Sequence, residues 1–470
     1  MSPKSEAEPS EAPHVSLLWL DNANLTRCRV LPLRRFRQFN FRLELTNAVQ
    51  SMPSMCDSPF ESPVGVVHWS PDNELSSTTG QTKPQAKLYD ISSWMAGTRA
   101  CFGEMTKDGA VWEQCPRTFL RLQGQKLLSQ FNIQATIGFE LEFQLLDPKL
   151  SSTGGAELAP VDSTLYCEVR ALQLGSSWQV LSEIVQALEQ DLGIKVYQYH
   201  PESAGGQFEI SIGYEKSNHG SDVLSPVDAV DQLVLARQTV YGIAARHGLQ
   251  ATFVPKLRSN DTGSGAHIHL GLLDSLVGVD ELTKNLFQTK TALAGAFVAG
   301  ILDELPGLMM LLAPTINSYE RLQPHCWAGA YACYGFENRE AAIRLIGSNR
   351  ANDLSQADHF EIKTVDATAN PYVAVGALLA AGMAGIQRNS TLPEPMTADP
   401  DSLTETERPE RLPQSLSAAI EAFQLRRAAF WDQVLSKQYA ELLVRIRTAE
   451  EEYYGKLTRD EMIQQLVRRY

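Results

Sequence analysis

Gly138-Phe139-Glu140-Leu141-Glu142-Phe143 is the stretch on which the fold turns. Acidic and apolar residues alternate there with the period of a β-strand, so Glu140 and Glu142 share one face while Phe139, Leu141 and Phe143 share the other. Two carboxylates side by side raise each other's pKa unless a cation or a hydrogen-bond network holds them ionised. A divalent metal on that face is one resolution. An edge strand with a solvated acidic face is the other.

Four further segments repeat the pattern. His200-Pro201-Glu202-Ser203-Ala204-Gly205-Gly206-Gln207-Phe208-Glu209-Ile210 offers two carboxylates across a glycine-rich turn. Gly263-Ser264-Gly265-Ala266-His267-Ile268-His269 places two histidines on one strand face after a glycine loop, and Phe360-Glu361-Ile362-Lys363 a carboxylate and an amine on another. Asn338-Arg339-Glu340-Ala341-Ala342-Ile343-Arg344 supplies two arginines. Singly, each reads better as a solvated, paired or core residue. Together they suit a hard cation such as Mg²⁺ or Mn²⁺ better than zinc. Cations beside arginines are the equipment of phosphoryl transfer, and no Walker A sequence is present.

At 470 residues with a formal charge of −14, a pI near 5.2 and a mean hydropathy of −0.20, the chain reads as a soluble globular enzyme and not as a nucleic-acid binder, which carries a basic patch. Seven cysteines with no CxxC spacing indicate neither a disulfide framework nor a structural zinc site, and fit a reducing, cytoplasmic compartment. Residues 1–13 read as a disordered polar tail without a signal h-region. The apolar run Val373 to Ile386 is too short to span a bilayer, so no membrane insertion is expected.

The chain reads as α+β in two domains. Val15 to Asp21, the turn Asn22-Ala23-Asn24 and Arg27 to Leu31 make a β-hairpin; with Lys87 to Asp90, Arg99 to Trp112 and the Asp108-Gly109 turn they predict a small sheet domain over 14–115. From 116 to 470 strands alternate with helices: Thr118 to Phe131, Ser177 to Leu192 stopped by Gly193, Ser225 to Gly248, Ala292 to Leu302 and Val373 to Ile386. Five prolines mark Thr391 to Pro413 as a surface loop, and Thr458 to Glu461 is a capping box.

The motifs Glu140 to Phe143, Glu202 to Glu209, Gly263 to His269, Asn317-Ser318-Tyr319-Glu320-Arg321-Leu322, Asn338 to Arg344 and Asn370-Pro371-Tyr372 stand in the order found in the glutamine synthetase family, class I, and most resemble its FluG-type and γ-glutamyl-amine ligase branch. The resemblance implies a β-grasp domain over 14–115 and a catalytic domain over 116–470 with a curved antiparallel sheet, assembled as homo-oligomeric rings, decamers or dodecamers. It implies that Glu142, Glu202 and Glu209 bind one Mg²⁺ or Mn²⁺ and that Glu140, His267 and Glu361 bind a second, on the phosphates of ATP. His269 and Arg344 are implied to contact nucleotide, Arg321 the amino-acid carboxylate, and Arg339 and Arg344 the transferring phosphoryl group. Gly263, Thr262 and Lys363 fall at the amino-acid pocket.

Trp327 stands where glutamine-forming members carry a flap glutamate for ammonium, and Val64 to Pro71 lacks their Asp-Gly-Ser-Ser motif. Indole cannot accept a proton, though its face holds a cation for about 0.5–2 kcal/mol. Thr262 replaces an asparagine, Lys363 an arginine, Gly271 a serine and His359 an arginine. The expected activity is therefore an ATP-dependent glutamate–amine ligase acting through γ-glutamyl phosphate on an organic amine. A glutamine synthetase using ammonia and a catalytically silent scaffold or signalling protein are the alternatives.

Overall fold

The computed structural model describes residues 12–38, 42–56, 59–60, 65–71, 86–150, 159–213, 223–276, 285–347 and 352–470. Residues 1–11 of the expected tail and Val64 of the departed motif lie outside them. The architecture is α+β, as expected. The first sheet joins His14–Leu20 (β1), Thr26–Pro32 (β2), Leu43–Thr46 (β3), Val66–Pro71 (β4), Tyr89–Asp90 (β5), Thr98–Lys107 (β6) and Ala110–Val111 (β7), in the order β2-β1-β6-β4-β3 with β5 and β7 also on β6. The expected hairpin is the antiparallel pair β1 and β2. Trp19, Trp69, Phe36 and Trp112 fill this sheet's own core.

The second sheet carries the acidic strands. It joins Ile133–Leu146 (β8), Val196–Pro201 (β9), Gln207–Ile212 (β10), Gln250–Thr252 (β11), Ile268–Asp274 (β12), Tyr331–Phe336 (β13), Ala341–Gly347 (β14) and Ala357–Ile362 (β15). Their order is β13-β14-β15-β12-β8-β10-β9, with β11 also on β8. The acidic strand β8 is thus central, which removes the solvated-edge reading: Phe139, Leu141 and Phe143 point into the main core, and Glu142 is itself buried.

Behind the sheet, helix Thr291–Leu312 lies on helix Pro371–Arg388. A Cβ on Gly300 would fall 2.5 Å from Gly385 Cα, and one on Gly385 2.1 Å from the Ala296 carbonyl oxygen, so this crossing exists only with glycine at both positions. The first of these helices runs ten residues past its expected end at Leu302, through Pro306. It is long and apolar enough to cross a membrane, yet 89% of its most apolar window is buried inside the fold.

Other elements differ in detail. Pro116, not Thr118, opens the next helix, since proline suits a first helical turn. The helix expected over Ser177 to Leu192 is α-helical to Gln186 and continues as a π-turn over Ala187–Asp191. Asn370 caps Pro371–Arg388, and the Thr458–Glu461 capping box forms. Arg117 ties the first sheet to the helix Pro226–Arg246: its guanidinium sits 2.7 Å from Asp231 of that helix and 3.8 Å from Glu104 of β6.

Candidate active site

Cross-strand register assembles the site. Glu142 of β8 stands opposite Glu209 of β10, which stands opposite His200 of β9. On the other flank Arg344 of β14 stands opposite Glu361 of β15, which stands opposite His269 of β12. Directly opposed side chains are separated by about 5 Å at Cβ, so each row puts its charges in contact. Glu202 comes from the turn between β9 and β10, and His267 immediately precedes β12.

His267 is the hub. Its Nδ1 lies 2.6 Å from Glu140 and 3.1 Å from Glu361, and its Nε2 lies 3.8 Å from Glu142. His269 Nε2 is 3.0 Å from the second Glu140 oxygen, and its Nδ1 shares a hydrogen bond of 3.0 Å with His359. Burial and the Lys363 charge work against a proton on His267, but Glu140 and Glu361 outweigh them and raise its pKa to about 9. Burial likewise opposes ionisation of Glu140 and Glu361, and the imidazoles outweigh it, holding both carboxyls well below their usual range. Lys363 Nζ is spent on Glu361 at 2.9 Å, and Arg344 reaches Glu361 at 3.3 Å while also gripping Glu337.

Glu142 behaves oppositely. Burial, with the charges of Glu209 and Glu202 added, pushes it up to about 7 against the pull of His267 and the Gly265 amide. That amide donates to Glu142 at 2.9 Å. A Cβ on Gly265 would lie 2.6 Å from His267 Nε2 and 3.0 Å from Glu142, which is why the backbone can approach only as glycine. His200 lies 3.5 Å from Glu209 and 3.7 Å from Glu202; hydrogen bonding to Glu209 is the main cause of its pKa rising to about 9.

The oxygen-rich donor set with few imidazoles fits a hard divalent cation. Glu140, Glu142 and His267 offer ligand atoms within 4.8 Å of one another, as do Glu140, His269 and Glu361. The Glu140–His267–Glu361 trio is drawn together around Nδ1. Glu142 and Glu209 face each other by register and the charge of Glu202 reaches Glu142, with His200 set beside Glu202 and Glu209.

The remaining expected residues are more dispersed. Arg321 is buried, with one terminal nitrogen donating to the Lys363 and Val365 carbonyls at 3.1 and 2.9 Å and Nε without a partner among the described residues. Gly263 offers its carbonyl to Gln207 Nε2 at 3.0 Å, and Thr262 is exposed. Arg339 does not share the strand of Arg344: it sits in the preceding turn, exposed, with its guanidinium 5.8 Å from the centre of the Trp327 ring. Trp327 is 46% exposed and meets Tyr166 edge to face at 6.5 Å.

Several contributors escaped the sequence reading. Gln207 ties the acidic turn to the glycine loop, donating to Gly263, Ser264 and Glu142 while accepting from the Ala204 amide; its place inside the Gly-Gly-Gln-Phe-Glu motif was the available signal. Glu340 accepts from the Trp327 amide at 3.3 Å, and no pattern announced it. A cavity of about 430 Å³ opens against Glu140 and His269, walled by Tyr197, Gln198, Ile212, Gly271 and His359, a size that takes a cofactor-sized ligand.

Comparison with known proteins shows the family and the fold. The family description "Glutamine synthetase, catalytic domain" matches residues 113–465. The chain is 33% identical over 356 residues to the γ-glutamylpolyamine synthetase GlnA3 of Streptomyces coelicolor, covering 74% of this chain and 71% of that one. It is 29% identical to protein fluG of Emericella nidulans over 97% of this chain, which spans 49% of that longer protein. A solved structure titled as a novel glutamine synthase homolog superposes with a TM-score of 0.76 at 25% identity over 99% of this chain and all of the other. A GmaS–ADP complex shares the fold, with a TM-score of 0.75 at 24% identity over 97% of each chain. With its acidic sheet, its glycine loops and these relatives, the chain belongs to the glutamine synthetase family.

Proposed function

We propose that this family member joins the γ-carboxylate of glutamate to an organic amine, using ATP and forming γ-glutamyl phosphate on the way. The observation that carries the reading is the convergence of Glu140, Glu142, His267 and Glu361 beside a cavity sized for a nucleotide. Mg²⁺ or Mn²⁺ held by Glu140, Glu142, Glu202, Glu209, His267 and Glu361 would neutralise phosphate charge. Around that cage the chain's own residues bind and orient. Arg321, buried and with Nε unpartnered, has a donor to offer the amino-acid carboxylate beside Gly263 and Thr262. Lys363 holds Glu361 ionised and in place, while His269 faces the cavity. Arg344, and Arg339 once it leaves the Trp327 ring, supply guanidinium to the transferring phosphoryl group.

A carboxylate resists attack until one oxygen becomes a leaving group. Phosphorylation achieves this; the amine nitrogen then bonds to the acyl carbon, phosphate departs with the C–O electron pair, and the amine loses a proton. Trp327 and Tyr166 present apolar surface where ammonium would need an anion, which favours an amine with a hydrocarbon stem. The GlnA3 relative's name specifies a polyamine, so that class heads the panel. Assembly as a ring in a reducing cytoplasm completes the reading; the seven cysteines are all free.

Incubation with ATP, Mg²⁺, glutamate and a panel of polyamines, monoamines, ammonium and hydroxylamine, followed by phosphate release, tests it. Release that depends on an organic amine supports the reading. Release with ammonium alone makes the chain a glutamine synthetase, and silence throughout leaves a scaffold.

A further inference from the structure

One group of metal-binding side chains at the edge of the site is chemically out of place in a hard-cation cage. Cys167 Sγ, a ring nitrogen of His200 and a carboxylate oxygen of Glu202 lie within 4.8 Å of one another. The Cys167 amide donates to the Glu202 carbonyl at 3.2 Å, and the Tyr166 amide to the Ser203 carbonyl at 3.4 Å. The thiol is thereby tethered to the ligand turn. Cys167 is exposed, so its side chain can turn without disturbing the core. His200 Nδ1 lies 2.9 Å from its neighbouring carbonyl of Pro201; donation there makes Nε2, 3.5 Å from Glu209, the nitrogen that a cation would take in exchange for its proton. Imidazole ligands are commonly fixed in this way by their second nitrogen.

Mg²⁺ and Mn²⁺ prefer oxygen and make no use of a thiolate. Sulfur, imidazole nitrogen and carboxylate oxygen together are a zinc-type set, for which tetrahedral bonds of about 2.0–2.3 Å place ligand atoms about 3.3–3.8 Å apart. A closure of about 1 Å by the exposed thiol satisfies that geometry.

We propose that Cys167, His200 and Glu202, with Glu209 alongside, form a site for a thiophilic divalent cation of the zinc class, and that a cation held there takes Glu202 from the hard-cation cage and slows the ligase. Binding exchanges the thiol proton for a sulfur–metal bond and needs no redox partner. The inhibitory half rests on the ligase reading; the binding half does not.

Co²⁺ is the probe, added to the full-length, chelator-stripped chain without ATP or glutamate. A near-ultraviolet thiolate-to-cobalt absorption is expected in the wild type and in Cys28→Ser, which alters another exposed thiol, and is lost in Cys167→Ser. Absence of the band, or its survival in Cys167→Ser, overturns the site. In the phosphate-release assay at saturating Mg²⁺, Cys167→Ser should keep its rate and need about tenfold or more Zn²⁺ for half-inhibition. Equal Zn²⁺ sensitivity of both proteins overturns the inhibitory half. A chain with no ligase activity still gives or withholds the cobalt band, so the failures are separable.

Discussion

Around His267, the carboxylates of Glu140 and Glu361 meet two imidazoles, the Lys363 ammonium and the Arg344 guanidinium, at 2.6–3.3 Å. A few ångströms away, the basic groups paired with Glu142, Glu202 and Glu209 among the described residues are His200, at 3.5 and 3.7 Å, and the far nitrogen of His267, at 3.8 Å. The first half is neutralised by the protein itself. The second carries an excess of buried negative charge, visible in a Glu142 carboxyl raised to about 7 chiefly by burial. One half is an ion-pair network that also offers ligand atoms; the other is left with carboxylate charge that fewer basic groups balance.

The largest expected effect breaks the self-neutralised half. Glu361→Gln leaves the Lys363 ammonium buried without its partner and takes one of two close carboxylates from His267; it should cost the metal-free protein about 3–5 kcal/mol, measured by urea unfolding in chelator. Glu209→Gln should do the reverse to stability: with one repelling charge gone, the metal-free protein holds or gains. Its Mg²⁺-dependent phosphate release should nonetheless fall about 10²–10³-fold. If both substitutions destabilise the metal-free chain equally, the two halves do not differ as described.

Next in size, Gly385→Ala strikes the helix crossing far from either half. It should lower stability by about 1–3 kcal/mol through overpacking while leaving kcat and the Mg²⁺ requirement unchanged, which separates loss of fold from loss of cation. Smallest, Trp327→Glu places a carboxylate on the flap. It should shift the ratio of ammonium- to organic-amine-dependent phosphate release about tenfold toward ammonium. No shift would remove Trp327 from acceptor choice.

Much of this was legible in the chain. Alternation in Gly138 to Phe143 gave a strand with both glutamates on one face, and the glycine-rich turns before Glu209 and His267 marked where backbone must pass close to a ligand. The order of strands was not legible, because pairing of β8 between β10 and β12 depends on contacts distant in sequence. For the same reason the facing of His200 to Glu209 and of Arg344 to Glu361 emerged only from register. Arg339 and Arg344 looked equivalent in sequence, but a turn separates them and leaves Arg339 on Trp327. Tyr166 and Cys167 escaped notice since both sit in the left-handed region, at φ of 46° and 57°, in a loop with no periodicity. The extra turns after Leu302 were obscured by Pro306, whose lost hydrogen bond is outweighed by packing in the core.

Counting bound Mn²⁺ by electron paramagnetic resonance tests the unequal-halves account most directly. It predicts two Mn²⁺ per wild-type chain in the presence of ATP, with one lost in Glu209→Gln. A chain that binds no Mn²⁺, or a Glu209→Gln variant that binds as many as the wild type, would contradict it.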